Sequence, residues 1–366
     1  MSHIKWVVLS DTALPTEDIY FLNSVAPWLA EQGCKVKKIN TRRWAIPPVS
    51  KRRFAQLVDG AHILVSRSLP LRWIELLETQ RTWSAVYYLV DDDFAAAVQD
   101  EGLPQMYRHR LAGILSDHQP RLLSLATEVV VPSLHLQAVL KKAHRNVQMM
   151  TPPWLSEPGS LEHFERPDWT LAFHGTRAHL PDLEHIAPAI QIVHDRRSTI
   201  NVEIMLGKHT PEKLKLLSRV ETPQPLSWSA FQRYQRFKRI HVGLVPLWDT
   251  PFNNAKSFIK YLDIAAMGGV GIFSNREPYR SIVRHGVDGL LVEDDTEAWV
   301  DAMLQLIDDK ERTRWMAGKA LEKASAIGDN RLAQRFWWSR MQANRVSADR
   351  SAWLDSRTSE LLDIRR

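Results

Sequence analysis

Short β-rich runs alternate with helical patterns along most of this chain, and the alternation starts twice. In the first half the β-rich runs fall at residues 5–10, 35–39, 62–66, 85–90 and 128–131. Helical patterns lie between them at residues 16–32, 51–58, 71–79, 105–126 and 134–143. Because strands that are separated by helices pair in parallel, this pattern predicts βαβ units and a parallel sheet with helices on both faces.

The second half repeats this organisation after a proline-containing break. Its predicted strands are residues 170–173, 202–206, 241–246, 270–273 and 289–292, and its predicted helices are 180–193, 256–267, 296–307, 311–325 and 330–344. We predict an N-terminal domain at 1–155, a linker at 156–168, a C-terminal domain at 169–328, and a C-terminal helix with a polar tail at 329–366. One arrangement that the sequence leaves open is that this helix packs back on the first domain. Since ligands bind at the carboxyl ends of parallel strands, we expect the ligand cleft between the domains.

The composition is that of an ordinary globular protein, with 44% apolar and 25% charged residues. The sequence contains no apolar run of the length that crosses a bilayer, which is about 20 residues. The N-terminus enters the first strand directly, without the apolar core of a signal peptide. One cysteine, Cys34, excludes an internal disulfide and a cysteine-built metal site. We therefore expect a cytoplasmic protein.

The chain is basic, with a net charge of +6 and a pI of about 9.4. Such a balance suits nucleic acid, anionic substrates or the inner face of an anionic membrane. Lys and Arg are spread along the chain with only short clusters, and no nucleic-acid-binding motif is present, so we do not expect a nucleic-acid partner. A peripheral membrane contact and a merely solvated basic surface both remain open.

Residues 252–292 carry the most informative chemistry. In the predicted helix 256–267, Lys256, Lys260 and Asp263 recur at the spacing of one helical face. Asn254 precedes this helix and is of an N-cap type. Free N–H groups at a helix start, beside Lys256 and Ser257, suit a diphosphate, and Asp263 could accept hydrogen bonds from a ribose diol. The alternative is a surface helix with an ordinary Lys260–Asp263 pair.

From about residue 173 to residue 324 the chain resembles the donor-binding domain of GT-B glycosyltransferases, most closely the retaining family 4, or glycosyl transferases group 1. That group carries a Glu-x7-Glu motif that ends in a pattern like L-E-A-M-A-x-G. Here L-D-I-A-A-M-G stands in that place, with Asp263 where the second Glu belongs. The strand at 270–273, Tyr279 and the G-V-D-G-L-L-V segment at 286–292 also match. Ala255 stands in place of the first Glu, which leaves the sugar specificity open.

The resemblance implies two Rossmann-like domains in the GT-B architecture, with an interdomain cleft. It also implies that the first strand and loop of the second domain meet the donor pyrophosphate. The residues there are His174, Gly175, Thr176 and Arg177. Arg177 is the candidate cation for the leaving diphosphate, Lys208 is the second candidate, and Asn254 or Lys256 would replace contacts of the missing Glu.

The first half ends its fourth predicted strand in three carboxylates, Asp91, Asp92 and Asp93. They could bind a divalent metal, orient an acceptor hydroxyl or complement a helix dipole. Since the resembled enzymes generally need no metal, we expect none and take Asp92 as the catalytic candidate. The segment Ser66-Arg67-Ser68 is a weaker candidate at an equivalent sheet edge. The turn after the first strand lacks the family's glycine-rich loop, although Asp11 could still face the cleft.

Together these features predict an enzyme that moves a sugar from a nucleotide-diphosphate sugar to a glycan or lipid-linked acceptor, in the synthesis of a surface polysaccharide or glycan. The nucleotide sugar is a substrate, and no further cofactor is expected. Arg177, Lys256 and Asp92 are the predicted catalytic residues. Two alternatives stay open, namely a nucleotide-sugar epimerase or phosphorylase on the same fold, and a non-catalytic protein that binds a glycan or nucleotide.

Overall fold

The computed structural model describes residues 4–43 and 51–342, which form two six-stranded sheets. Every pair of neighbouring strands is parallel. The strands of the first sheet are β1 (Lys5–Ser10), β2 (Lys35–Asn40), β3 (His62–Ser66), β4 (Ala85–Leu89), β5 (Glu128–Val131) and β6 (Val147–Met149). Those of the second are β7 (Trp169–His174), β8 (Ile200–Met205), β9 (Val220–Glu221), β10 (Val242–Val245), β11 (Val270–Ser274) and β12 (Leu290–Val292). The α/β class with two parallel sheets confirms the sequence prediction.

Each sheet has one place where the strand order reverses. The first sheet has the order β2-β1-β3-β4-β5-β6, so its order reverses between β1 and β3. The second has the order β12-β11-β10-β7-β8-β9, and its reversal lies between β7 and β10. Loops that leave the two central strands at such a point diverge to opposite faces of the sheet, which leaves a crevice at their carboxyl ends. The topology therefore provides two crevices, one for each sheet.

Helices cover the sheets on both faces. In the first half they are α1 (Ala26–Glu31), α2 (Lys51–Val58), α3 (Leu71–Thr79), α4 (Phe94–Gln99), α5 (Gln105–Gly113), α6 (Gln119–Leu125) and α7 (Leu134–Leu140). In the second half they are α8 (Leu180–Arg196), α9 (Glu212–Lys215), α10 (Trp228–Phe237), α11 (Pro251–Asn254), α12 (Ile259–Ala266), α13 (Tyr279–Ile282), α14 (Thr296–Asp308) and α15 (Lys310–Ile327). A further helix, α16, spans residues 330–342. None of the helices in the described ranges has the length and hydropathy of a membrane span.

The strands are buried on both faces, and the two faces pack into separate clusters. Val7 and Leu9 of β1 belong to one cluster, while Trp6 and Val8 belong to the other. Burying such an apolar side chain completely stabilises the fold by roughly 1.5–3 kcal/mol. The near-continuous apolar runs that predict the strands are therefore the runs that a doubly covered parallel sheet requires.

Helix α16 returns to the first sheet. The Trp337 ring packs edge-on against Trp6, with 5.7 Å between ring centroids, and its indole Nε1 donates to the Tyr20 carbonyl at 3.1 Å. Arg340 Nε donates to Glu128 Oε1 at 2.5 Å. These contacts attach the end of the described chain to the first half. Of the predicted helix 330–344, the last two residues lie outside the described residues.

Several predicted elements have different bounds in the structure. The helical pattern 16–32 is interrupted at residues 23–25, where Ser24 Oγ donates to the Ile19 carbonyl at 2.9 Å. The pattern 105–126 is one helical run with a π-helical stretch at Ile114–His118. The predicted helix 256–267 begins only at Ile259, so Lys256 and Ser257 lie in the segment that links α11 to α12. The strands β6 and β9 and the helices α4, α9, α10 and α11 are not predicted. All of them except α10 have six residues or fewer, whereas α10 has ten residues and an amphipathic pattern that the prediction misses.

Candidate functional site

A cavity of about 580 Å³ lies between the carboxyl ends of the two sheets. The first half lines it with residues that follow β1 and β4 and with the start of α5. The second half lines it with the loop after β7, the segment after β10 and helix α12. The volume falls within the range of small-molecule sites, about 300–1,000 Å³. The cavity thus lies at the reversal point of the second sheet and faces the carboxyl ends of the strands in the first sheet.

Basic side chains reach this cavity from three separate segments of the second half. Arg177 and His179 come from the loop after β7, and Lys256 comes from the segment between α11 and α12. Lys260 projects from the first turn of α12, and Asp263 follows it by three residues. Because residues i and i+3 lie on the same face of a helix, Lys260 and Asp263 line one wall together. Thr176 and Ser257 add hydroxyl groups to that wall.

Burial acts in opposite directions on Lys260 and Asp263. It lowers the pKa of Lys260, against the nearby Asp263 and Asp182 carboxylates, and Lys256 lowers it further. Burial raises the pKa of Asp263, although Lys260 and a hydrogen bond from Gln235 lower it. Gln235 Nε2 donates to Asp263 Oδ1 at 2.7 Å, and Lys260 Nζ donates to the His174 carbonyl. An anionic, hydroxyl-bearing ligand would give both groups the partners that water no longer supplies.

His179 is held by a buried carboxylate. Its Nδ1 donates to Asp182 Oδ2 at 2.9 Å. The other oxygen, Asp182 Oδ1, accepts from the Trp248 backbone N–H at 2.7 Å and from Asn253 Nδ2 at 3.0 Å. Burial lowers the pKa of His179 more than its bond to Asp182 raises it. The imidazole is therefore oriented by its neighbours on the cavity wall. In the sequence, His179 is followed three residues later by the carboxylate Asp182. That spacing is the available signal for this histidine, but neither residue is among the predicted site residues.

The three consecutive carboxylates of the first half, Asp91, Asp92 and Asp93, have different roles in the structure. Asp91 and Asp92 line the cavity, whereas Asp93 Oδ1 accepts the Ala96 backbone N–H at 3.0 Å and so caps α4. Arg67 Nη1 donates to Asp92 Oδ2 at 2.8 Å and also to Asp91. Among the residues described, no cluster of His, Cys, Asp and Glu has the makings of a metal site. The helix-dipole interpretation therefore applies to Asp93, while the other two carboxylates face the cleft.

Asp92 and Lys256 form an ion pair across the cleft. Lys256 Nζ lies 2.5 Å from Asp92 Oδ1, although the two residues are 164 positions apart in sequence. Burial alone raises the pKa of Asp92, but Lys256 and Arg67 outweigh it and hold that pKa well below its usual range. Asp92 is accordingly ionised at neutral pH. In this form it can accept hydrogen bonds and stabilise positive charge.

The segment that carries Lys256 is anchored in the first half. Phe252 and Ala255 belong to the apolar cluster of the first sheet. The Ala255 carbonyl accepts from Ser133 Oγ at 2.7 Å, and Tyr20 Oη donates to Ser257 Oγ at 3.4 Å. Ala255 therefore packs between the halves and does not line the cavity. Burial at this position favours a small apolar residue, whereas the resembled family has a carboxylate there.

Four predicted site residues do not line the cavity. His174 Nε2 donates to the buried Glu203 at 2.7 Å, and Lys208 is exposed on the loop after β8. Asn254 Nδ2 donates to Asp249 Oδ1 at 3.1 Å. Gly175 lies against the Phe173 ring, which a β-carbon at this position would approach to 2.8 Å. The structure instead brings Thr176, Arg177, Lys256, Ser257 and Asp263 together with Asp92, and it adds the lining residues Tyr20, Tyr107, His179 and Lys260, which the predicted set omits.

No protein-family model matches the chain, and no curated protein matches it in sequence. Solved structures do match. Anabaena Alr3699/HepE in complex with UDP-glucose is 12% identical at a TM-score of 0.63, over 93% of this chain and 100% of that chain. Sucrose-phosphate synthase from Thermosynechococcus elongatus is 12% identical at 0.62, over 94% and 100%. A glycosyltransferase from Rickettsia africae is 10% identical at 0.61, over 94% and 99%. At these identities the similarity establishes the fold, which is the predicted GT-B architecture.

Proposed function

We propose that this GT-B protein is a glycosyltransferase that moves a sugar from a nucleotide-diphosphate sugar to a glycan or lipid-linked acceptor. One observation carries the proposal. A cavity of substrate size brings Arg177, Lys256 and Lys260 of one half opposite the Asp91 and Asp92 carboxylates of the other. Cations on one side suit the diphosphate of a donor, and carboxylates on the other suit hydroxyl groups of a sugar. The similar HepE structures are complexes with UDP and with UDP-glucose, so UDP sugars are the first donors to test.

Within this proposal each part of the donor has its own partners. Arg177, Lys256 and Lys260 contact the diphosphate, with Ser257 and Thr176 as hydroxyl donors. Asp263 accepts from the ribose diol, for which it would exchange its present bond with Gln235. The sugar then lies towards Asp92, the carboxylate that the other half supplies close to the position of Ala255. Cations placed where negative charge grows on the leaving diphosphate lower the barrier to transfer.

We further propose a retaining transfer of the family 4 kind. The bond between the anomeric carbon and the phosphate oxygen breaks, and the acceptor oxygen bonds to that carbon on the same face. The acceptor proton passes to the departing phosphate, so no separate base is required. Asp92, which stays ionised, would stabilise the positive charge that develops on the sugar. Closure of the two halves would exclude water and limit hydrolysis of the donor.

The domain division belongs to the same proposal. Residues 1–155 would bind the acceptor and residues 169–328 the donor, with 156–168 between them and 329–366 as the C-terminal segment. The stretch 156–168 contains a 3₁₀ turn, Glu162–Glu165, whose His163 and Phe164 side chains are buried. We propose a cytoplasmic location with contact to the inner membrane face, because an acceptor linked to lipid would be presented there. The basic net charge is consistent with such a contact.

A thermal-shift screen of the full chain with nucleoside diphosphates and their sugars tests donor binding. A ligand at a hundred times its Kd stabilises the folded state by about 2.7 kcal/mol. We expect UDP and a UDP sugar to stabilise the protein, and Lys256→Gln to weaken UDP binding by about 10- to 150-fold, since a hydrogen bond to a charged group contributes about 1.5–3 kcal/mol. Lys208→Gln is the matched control, because Lys208 is exposed outside the cavity.

Two results would contradict the proposal. One is an absence of stabilisation by every nucleoside diphosphate, and the other is equal UDP affinity in Lys256→Gln and wild type. The reaction class needs a second measurement, namely nucleotide release with and without an acceptor glycoside. Release that depends on the acceptor indicates transfer. Conversion of the sugar without any acceptor would instead support an epimerase.

A further inference from the structure

A second cavity, of about 270 Å³, lies at the carboxyl ends of strands β1 and β3 in the first sheet. Its polar lining consists of Asp11, Arg42, Ser68, Arg110, Asp117 and His118. Asp11 follows β1 and Ser68 follows β3, so the cavity sits where the strand order of the first sheet reverses. Open parallel sheets bind their ligands at this kind of crevice. The second cavity therefore occupies the crevice of the first sheet. The cavity of about 580 Å³ between the halves, called the main cavity below, occupies the crevice of the second sheet.

The backbone around this cavity is held in an uncommon conformation at two places. Thr12 and Arg67, which are neighbours of Asp11 and Ser68, have φ angles of 53° and 59°. Residues other than glycine rarely adopt this left-handed region, at which they cost of order 1–3 kcal/mol, and such residues cluster at functional sites. Both turns aim a polar side chain at the same cavity, since Asp11 and Ser68 line it.

The second cavity and the main cavity are lined by neighbouring residues of the same elements. Arg67 donates to Asp92 in the main cavity, while the next residue, Ser68, lines the second. Helix α5 does the same along its length, because Met106 lines the main cavity and Arg110 and Gly113 line the second. These three residues follow a spacing of i, i+4 and i+7, which is one helical face. A single elongated ligand could therefore contact both cavities.

The charges in the second cavity balance. Arg42 and Arg110 oppose Asp11 and Asp117, and Arg42 Nη2 lies 3.5 Å from Asp11 Oδ2. Burial, with a smaller effect from Arg121, lowers the pKa of His118 more than Asp117 and a backbone hydrogen bond with Leu69 raise it. Its Nδ1 is 2.8 Å from Ser68 Oγ. The lining thus offers hydrogen-bond donors and acceptors in similar number, without the excess positive charge that a phosphate requires.

We propose that this second cavity binds a neutral, hydroxyl-rich sugar unit of the acceptor glycan, next to the unit that receives the new bond. This inference rests on the proposed function and assigns the acceptor a chemical class. Sugar hydroxyls both donate and accept, which matches the mixed lining of carboxylates, guanidinium groups, Ser68 and His118. The unit that reacts would then lie in the main cavity beside Asp92, within reach through the shared face of α5.

Gly113 allows the cavity to be filled without disturbing the main site. A β-carbon at Gly113 would have no heavy atom within 4 Å, and the residue lines the second cavity. Gly113→Phe therefore introduces a ring at the cavity wall from a β-carbon that itself meets no neighbour. His135→Phe is the matched control, since it adds the same ring to an exposed position on another helix of the same half. Asp117→Asn is a second variant, which removes one acceptor charge and leaves the volume unchanged.

The binding experiment uses methyl glycosides of glucose, galactose and mannose as neutral probes and glucose 6-phosphate as the anionic probe. Saturation-transfer NMR on the full chain, with UDP present, gives their relative affinities. We expect at least one neutral glycoside to bind wild type and His135→Phe equally. Gly113→Phe and Asp117→Asn should weaken it at least tenfold, and the stabilisation by UDP should not change.

Three results would overturn the inference: no neutral glycoside binds wild type, both cavity variants retain wild-type affinity, or glucose 6-phosphate binds at least tenfold more tightly than every neutral probe. Failure of the proposed function has a different signature, which is the loss of nucleotide stabilisation in wild type itself. A protein that binds UDP but no neutral glycoside would therefore refute this inference alone. A protein that binds a neutral glycoside in the Gly113-dependent manner but no nucleotide would refute the donor assignment alone.

Discussion

The two reversal points of the molecule share a topology and differ in charge. At the second sheet, between β7 and β10, the crevice holds three cations, Arg177, Lys256 and Lys260, and one carboxylate, Asp263. At the first sheet, between β1 and β3, two arginines face two aspartates. The strand order produces the crevice, whereas the charge of the crevice comes from loop residues whose identity the strand order does not fix. One crevice thus suits a dianionic diphosphate and the other a neutral glycan.

The same contrast extends to how each half holds its polar groups. In the first half Arg67 organises both cleft carboxylates, and Asp92 is also paired with Lys256 from the opposite half. In the second half, Asp182 orients His179, while Asp182 and Asp263 both raise the pKa of the buried Lys260 through their charge. The first half therefore turns the carboxylates Asp91 and Asp92 towards the cleft, whereas the second half turns mainly cations towards it, with Asp263 beside them. The predictions below test this division, from the largest expected effect to the smallest.

Asp92→Asn should lower the rate of sugar transfer by about 10²–10³-fold, because it removes the charge that faces the developing positive charge on the sugar. Asp93→Ala is the control, since Asp93 caps α4 and should cost about 1 kcal/mol of stability without a matching loss of transfer. Steady-state kinetics and urea unfolding of both variants measure the two effects. Equal losses of transfer in the two variants would show that Asp92 acts only through the fold.

Acid should weaken the second half through His241. Burial lowers the pKa of this residue to about 4, from an unfolded value near 6.5. The neutral ring accepts the Thr170 backbone N–H at Nδ1 and donates from Nε2 to the His163 carbonyl, each at 3.0 Å. Because the folded pKa is the lower one, this stability is complete above pH 6.5 and is lost as the pH falls towards 4. At about 1.4 kcal/mol for each unit of pKa, the loss is on the order of 3 kcal/mol.

Urea unfolding of wild type and His241→Gln at pH 7 and pH 4.5 checks this effect. We expect the free energy of unfolding to fall between these pH values more in wild type than in the variant, which has no group to titrate at this position. An identical pH dependence in wild type and His241→Gln would contradict the prediction.

Gly113→Ala should raise the free energy of unfolding by up to about 1 kcal/mol. Glycine within a helix costs this much relative to alanine, and the added methyl group meets no neighbour. Gly318→Ala in α15 is a matched comparison, because its β-carbon would touch only Leu161, at 3.7 Å. Thermal unfolding of both variants gives the two gains. A destabilised Gly113→Ala would mean that the cavity wall is more tightly packed than the described contacts indicate.

Most strands could be predicted because a parallel sheet that is covered on both faces needs uninterrupted apolar runs. The predictions for β1, β3 and β5 have the bounds of the observed strands, and those for β7 and β11 differ by one residue at an end or at both. The helix predicted at 256–267 starts too early, because residues 255–257 leave helical geometry to reach Ser133, Asp92 and Tyr20 in the other half. A local pattern carries no information about partners that are more than a hundred positions away.

The amino-acid sequence by itself determined the α/β class, the two parallel sheets and the segments from which the cleft is built. It could do so because strand and helix periodicity depends on near neighbours, and because apolar runs must be buried wherever they occur. Only the tertiary structure decided which polar residues share the cleft. It paired Lys256 with Asp92, turned Asp93 into a helix cap, kept His174 and Lys208 off the cavity wall and buried Ala255 between the halves. Those outcomes depend on how the carboxyl ends of the two sheets pack against each other. That packing is stabilised by contacts between residues that are far apart in the sequence.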